Sequence, residues 1–251
     1  QRLPEPSSRD EVHRLATTLN EKLDRIETAT KQQRQFVGDA SHELKSPIAA
    51  IRTMLEVAGA DPDFADWHSL LSDVGRENRR TETLVRDLLL LAAADEGRPT
   101  QPRQEVDLDG IVGRQAESLR KRGNVVVDTS SLGAARVLGD ATALDALVRN
   151  LVDNAERHAA DTVWLATGAS AGAAVVTVSD DGPGIHHVDS ERVFDRFVRL
   201  DDARDRSSGG TGLGLAVARA IARRHGGDVR LLASAHGGAT FEVRIPLAPG
   251  A

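Results

Sequence analysis

One histidine, a pair of asparagines, a strand-end aspartate and a run of glycines are the side chains here whose types and spacing could do chemistry. The histidine is His42, in Ser41-His42-Glu43-Leu44-Lys45-Ser46-Pro47. A neutral imidazole offers a lone pair for attack or for taking a proton; Glu43 stands beside it and Ser46 one helical turn further on. The asparagines, Asn150 and Asn154, are four apart in Asn150-Leu151-Val152-Asp153-Asn154-Ala155-Glu156-Arg157-His158 and share one helical face. Amide oxygens suit a hard cation such as Mg²⁺ when phosphates complete its shell. The aspartate, Asp180, closes an apolar run and precedes Asp181-Gly182-Pro183-Gly184, whose glycines let backbone approach a ligand. Its carboxylate can accept from an exocyclic amino group, which adenine carries and guanine lacks at the same ring position. The glycines, Gly209-Gly210-Thr211-Gly212-Leu213-Gly214-Leu215, lead into a helical pattern whose free N-terminal amides would face phosphate. They match neither the Gly-x-x-x-x-Gly-Lys-Ser/Thr nor the Gly-x-Gly-x-x-Gly pattern. Taken singly, each feature has a plainer account: a solvated histidine, surface asparagines, an Asp-Gly turn, a flexible loop packed on its helix.

Between the last two motifs lies Phe194-Asp195-Arg196-Phe197-Val198-Arg199. Arg196 and Arg199 are either phosphate-reaching cations or ordinary surface arginines. The polar stretch 201–208 that follows has no hydrophobic anchor and reads as a mobile lid or a disordered loop.

The elements that must position these groups follow from hydrophobic period. Val37, Ala40, Leu44, Ile48, Ile51, Leu55 and Ala58 recur in steps of three and four, predicting a helix with one buried seam. His42 falls roughly 200° from that seam and so faces water or a partner. Pro47 removes a backbone donor and predicts a kink near it. The same pattern reaches back through Val12, Leu15, Leu19 and Ile26 to about Asp10, with Lys22 interrupting the seam, and ends near Gly59. After the turn at Asp61-Pro62-Asp63, a second helix is expected from about Phe64 to Ala94, with Leu70, Glu77, Leu84 and Leu91 at heptad spacing. Two such helices make an antiparallel hairpin, and a dimer closing into a four-helix bundle would bury both seams. Residues 95–102 read as a linker. Beyond them, short β-branched runs at 125–127, 162–165, 175–178, 229–232 and 240–245 mix with helical stretches near 108–121, 140–159 and 213–225. That mixture predicts an α+β sandwich, a sheet with helices on one face.

Composition narrows the field. Acidic residues outnumber basic ones, 38 to 32, so overall charge lends no support to a nucleic-acid-binding surface. The absence of cysteine excludes disulfides and thiolate metal sites and suits a reducing compartment. No run reaches the roughly 18 apolar residues of a membrane span. The chain starts at Gln1 rather than methionine, which points to a fragment or a processed form.

The motifs also occur together and in order. His-Glu-Leu-Lys-Ser-Pro, Asn-Leu-Val-Asp-Asn-Ala, Asp-Asp-Gly-Pro-Gly-Ile, Phe-Asp-Arg-Phe and Gly-Thr-Gly-Leu-Gly-Leu resemble the H, N, G1, F and G2 boxes of sensor histidine kinases of two-component systems. Asp10-Glu11-Val12 and Leu19-Asn20 are similar to the second helix of a HAMP linker. The resemblance implies three parts: a linker and partial HAMP helix at 1–30, a dimerisation and phosphotransfer hairpin at 31–96, and an ATP-binding domain of the GHKL type at 103–248. It implies His42 as phosphoacceptor, Glu43 as the adjacent acid that orients it and takes its proton, and a possible phosphatase role for Ser46. Asp180 would bind the adenine amino group, and Asn154, with Asn150, would ligate Mg²⁺. Gly182 and Gly184 would shape the pocket. Gly210, Thr211, Gly212, Leu213 and Gly214 would close on the phosphates, with Arg157, His158, Arg196 and Arg199 near them. The implied partners are a second copy of the chain and a response-regulator receiver domain, not nucleic acid. The implied setting is the cytoplasmic part of a membrane-anchored sensor. Serine at position 46, where the family often has Thr or Asn, and Arg157-His158 in place of Lys-Tyr or Lys-His depart from the pattern. A nucleotide-binding scaffold, or a phosphatase-biased sensor without efficient turnover, is the alternative. A GHKL ATPase of the chaperone or DNA-repair kind fits worse, since those carry a catalytic acid where this chain has Asn150 and lack the His42 hairpin.

Overall fold

Apolar residues in three-four steps form one helix from Glu11 to Ala60 (α1), which continues through Pro47. In the computed structural model the described residues are 11–60, 66–95, 103–200 and 211–248. A second helix, α2, spans Trp67–Asp95. Asp66 precedes it and accepts from the Ser69 N–H at 3.1 Å, tying down one of the free amides of its first turn. The expected turn and linker at 61–65 and 96–102 lie outside the described residues. The chain divides into two compact units, 1–78 and 79–251, so α2 contributes to both.

In the first unit Pro47, Ala58 and Leu70 are buried. Much of the expected seam is not. Val37, Ile48 and Leu55 are 57%, 56% and 52% exposed. They lie seven and eleven residues apart and so form one stripe along α1.

The second unit holds the end of α2, with Leu84 and Leu91 buried, and an α/β sandwich. Its elements after α2 are β1 (Gln104–Asp107), α3 (Leu108–Arg122), β2 (Val126–Leu132), β3 (Arg136–Gly139), α4 (Ala141–His158), β4 (Thr162–Ser170), β5 (Ala173–Asp180), α5 (Gly214–Arg224), β6 (Asp228–Leu232) and β7 (Thr240–Pro246). Five strands run in the order β2-β4-β5-β7-β6, with β2 parallel to β4 and the other neighbours antiparallel. Strand period two turns Val163, Leu165, Val176, Val178, Phe241, Val243 and Ile245 toward α3, α4 and α5, where Leu147, Leu151, Val217 and Ile221 meet them. β1 and β3 form a separate antiparallel pair that the β-branched runs did not announce.

Two side chains fix how α4 is held. Asp140 caps it, its Oδ1 accepting from the N–H groups of Thr142 and Ala143 at 2.9 and 3.1 Å. The Asp140 N–H donates to Nε2 of buried His225 at the end of α5, 3.1 Å away. Nδ1 of the same ring lies 2.8 Å from the Ile221 carbonyl, so His225 is neutral with its proton on Nδ1. Burial, the largest influence, lowers its pKa, with Arg103 and Arg224 adding to the effect. This imidazole joins the helix carrying the asparagines to the helix that follows the glycines.

Candidate functional site

Strand β5 delivers Asp180 to the sheet's end, where the residue is 1% exposed. Its Oδ1 accepts from the N–H groups of Gly182 and Ala239, at 3.0 and 3.1 Å. Its Oδ2 is buried and has no partner. A buried acceptor left open is costly, of order 1–3 kcal/mol, unless a ligand donor completes it. The neighbouring Asp181 does different work. Its Oδ1 accepts from three successive N–H groups, Ala160, Asp161 and Thr162, at 2.9, 3.0 and 3.1 Å. The bond from Asp161 leads the influences that hold its carboxyl below the usual range. Of the two aspartates, then, one closes the α4–β4 turn and the other keeps an open acceptor at the end of β5.

Gly182 cannot carry a side chain here. A Cβ would sit 2.1 Å from the carbonyl oxygen of His158, so the end of α4 and the loop after β5 meet backbone to backbone. Gly184 turns the chain with φ near 75°. The polar stretch 201–208, expected as a mobile lid or a disordered loop, and Gly210 lie outside the described residues, but the Phe197 N–H donates to the Gly212 carbonyl at 2.9 Å. Phe197 holds a positive φ of 62°, a strained conformation for a bulky residue, beside Gly212 at 69°. Phe194 anchors the segment by packing edge-on to Phe241, and the Arg219 guanidinium lies 4.6 Å over its ring. Leu213 is fully buried where α5 begins, and no side chain caps that helix. Its first-turn amides and dipole end suit phosphate.

On α4, Leu147, Leu151 and Ala155, each four residues apart, are buried, while Asn154 is half-buried. Asn150 is more enclosed than the shared helical face implied. It is 7% exposed, and a Cβ on Gly214 would lie 3.5 Å from its Oδ1. Its other neighbour is Asp87 of α2, 1% exposed, whose carboxyl lies against the Asn150 amide and the Arg149 guanidinium. Burial pushes the Asp87 pKa up to about 6, against the opposing pull of Arg149 and Arg86. Asp87 Oδ1, Arg149 Nη2 and Asn150 Nδ2 are all buried without hydrogen-bond partners. Arg157, exposed at the end of α4, is near enough to Arg199 and Arg80 to feel their charge. His158 and Arg199 are exposed, and Arg196 and Thr211 half-buried.

His42 and Ser46 are exposed on α1 in the first unit, with Glu43 half-buried. Residue type and spacing did not single out Asp87 or Arg80. Asp87 had left a sign, a charge three residues after Leu84 and four before Leu91.

Residues 139–249 match the class described as histidine kinase-, DNA gyrase B- and HSP90-like ATPases, in keeping with the α/β sandwich. Residues 32–97 match the His Kinase A (phospho-acceptor) domain. The chain belongs to the sensor histidine kinases. Sensor protein CutS of Streptomyces coelicolor is 36% identical over 246 residues, which are 95% of this chain and 58% of that relative. The probable sensor histidine kinase TcrY of Mycobacterium tuberculosis is 38% identical over 262 residues, 98% of this chain and 54% of that relative. The chain thus spans a little over half the length of the curated relatives it matches. Among solved structures, the mycobacterial sensor histidine kinase MprB superposes with a TM-score of 0.52 at 28% identity, over 57% of this chain and 97% of that one. The Acinetobacter baumannii histidine kinase AdeS shares the fold, with a TM-score of 0.67 at 21% identity over 82% of this chain and 98% of that one. No helix among the described residues is long and apolar enough to cross a membrane.

Proposed function

We propose that this chain transfers the γ-phosphoryl group of ATP to His42 and passes it on to an aspartate of a response-regulator receiver domain. The observation that carries the nucleotide half is Asp180: a buried carboxylate with one oxygen held by backbone donors and the other open. Asp180 accepts from the adenine amino group. Gly182 and Gly184 shape the pocket by letting neighbouring backbone close in on the loop after β5. Amides around Gly210, Thr211, Gly212, Leu213 and Gly214 meet the phosphates, with Arg157, His158, Arg196 and Arg199 supplying charge. Asn154 holds Mg²⁺ with help from Asn150; the ion neutralises charge on the phosphates, and amide oxygens are suitable donors for it. Transfer of this kind depends mainly on positioning and charge neutralisation.

His42 is exposed, as an acceptor must be, and attacks in its neutral form while Glu43 orients it and takes the proton. Ser46, one turn on, is short and exposed, suited at most to positioning water for dephosphorylation of the regulator. The exposed stripe of Val37, Ile48 and Leu55 supports a homodimer closed through this seam. The domain limits 1–30, 31–96 and 103–248 and a membrane-anchored longer protein, with this portion in the cytoplasm, complete the proposal.

Calorimetric titration with ADP and Mg²⁺ tests the site. Asp180→Asn presents an amide donor to the adenine amino group and should weaken binding roughly 10- to 100-fold, the value of a hydrogen bond to a charged group. Equal affinity in the variant would overturn the assignment of the base pocket.

A further inference from the structure

Trp164 and His236 stack face to face, ring centroids 3.8 Å apart and planes 7° from parallel. Trp164 belongs to β4, whereas His236 belongs to the loop between β6 and β7. In the sheet, β5 lies between β4 and β7. The loop therefore crosses the end of β5, the strand that terminates in Asp180, to reach its aromatic contact. Register agrees: Trp164 pairs with Ser179, and Ser179 with Thr240.

Under the crossing, the loop is bound to Asp180 itself. The Ala239 N–H donates to Asp180 Oδ1 at 3.1 Å, and the Asp180 N–H donates to the Ala239 carbonyl at 3.0 Å. Gly238 packs so tightly that a Cβ would lie 2.3 Å from both the Asp180 carbonyl oxygen and Oδ1. Gly237 and Gly238 have no side chains to fix this approach, and Ser234 and Ala235 before them are small. His236 is the large side chain at hand, and it is near enough to Asp128, opposite Trp164 on β2, to act on that carboxyl.

Resting on the nucleotide site proposed above, we infer that the Trp164–His236 stack anchors a strap across β5 that sets the Asp180 carboxylate for the adenine amino group. Both rings are positioning residues, acting on base selectivity through Ala239 and Gly238. Without the anchor the strap gains freedom, the Ala239 N–H drifts from Oδ1, and the carboxylate no longer holds one orientation. The loss then falls on the one ligand group that carboxylate reads.

The test compares ADP with inosine diphosphate, which has an oxygen in place of the amino group, by calorimetry on the full chain. His236→Ala should weaken ADP roughly three- to tenfold, the range of a stacked pair, while leaving inosine diphosphate unchanged. His236→Phe should restore ADP affinity, and His236→Ala should cost nothing further in an Asp180→Asn background. Thermal unfolding of each chain is followed in parallel, and His236→Ser replaces His236→Ala if that variant folds poorly. Equal weakening of both nucleotides, or no weakening of ADP, would overturn the strap. A wild-type chain indifferent between the two nucleotides would instead overturn the base pocket on which it rests.

Discussion

Asp87→Asn should stabilise the second unit at neutral pH, although it removes a charge that faces an arginine. The wild-type carboxyl is 1% exposed and its Oδ1 has no partner. Burial raises its pKa from 3.8 to about 6, a value that already includes the attraction of Arg149 and Arg86. The folded chain therefore binds this proton more tightly than the unfolded chain. The stability it contributes is fully present below 3.8 and lost as pH rises through about 6. At about 1.4 kcal/mol per tenfold, the loss comes to roughly 3 kcal/mol at neutral pH. Asparagine keeps the shape and cannot ionise, so most of that amount should appear as added stability, fading as pH falls. Urea unfolding of both chains between about pH 4 and pH 8 reads the difference directly. A difference that does not vary with pH, or an asparagine variant less stable at neutral pH, would refute the reasoning. The latter would mean that Asp87 and Arg149 form a favourable ion pair.

Three further outcomes are expected. Lowering of the His225 pKa gives the opposite sign: the folded chain binds that proton more weakly, so stability holds above 6.5 and declines as pH falls below it. A nitrogen-detected NMR titration should find the His225 midpoint below that pH, with the neutral ring protonated on Nδ1; a midpoint at or above it would contradict the buried geometry. Gly182→Ala places a methyl 2.1 Å from the His158 carbonyl oxygen and 3.0 Å from Asp180 Oδ1. It should cost about 1–3 kcal/mol in a melting experiment and abolish measurable ADP binding, and an unchanged variant would show that the two backbones do not meet. Ile48→Asp, on the stripe it shares with Val37 and Leu55, should sediment as a monomer; a surviving dimer would put the interface elsewhere.

Much of this was legible in the sequence because the signals are local. Heptad spacing carries α1 and α2, and the apolar run before Asp180 announces β5. β1 and β3 were missed because strands of four residues, such as Gln104-Glu105-Val106-Asp107, show too little alternation to register. At the site, residue type and spacing singled out Asp180 and the asparagines. They could not tell that Asn150 would be enclosed, because its cover comes from Asp87 and Gly214, each some sixty residues away. The strap was hidden for the same reason. Trp164 and His236 are an ordinary tryptophan and histidine until the strand order β4-β5-β7 brings them together.

The central claim is a phosphoryl group on His42. Incubation of the chain with γ-labelled ATP and Mg²⁺, followed by acid and alkali treatment, tests it most directly. The account predicts label that is acid-labile and alkali-stable, absent from His42→Gln, and chased off by a receiver domain. Label undiminished in His42→Gln, or none in a wild-type chain that binds ATP, would contradict it.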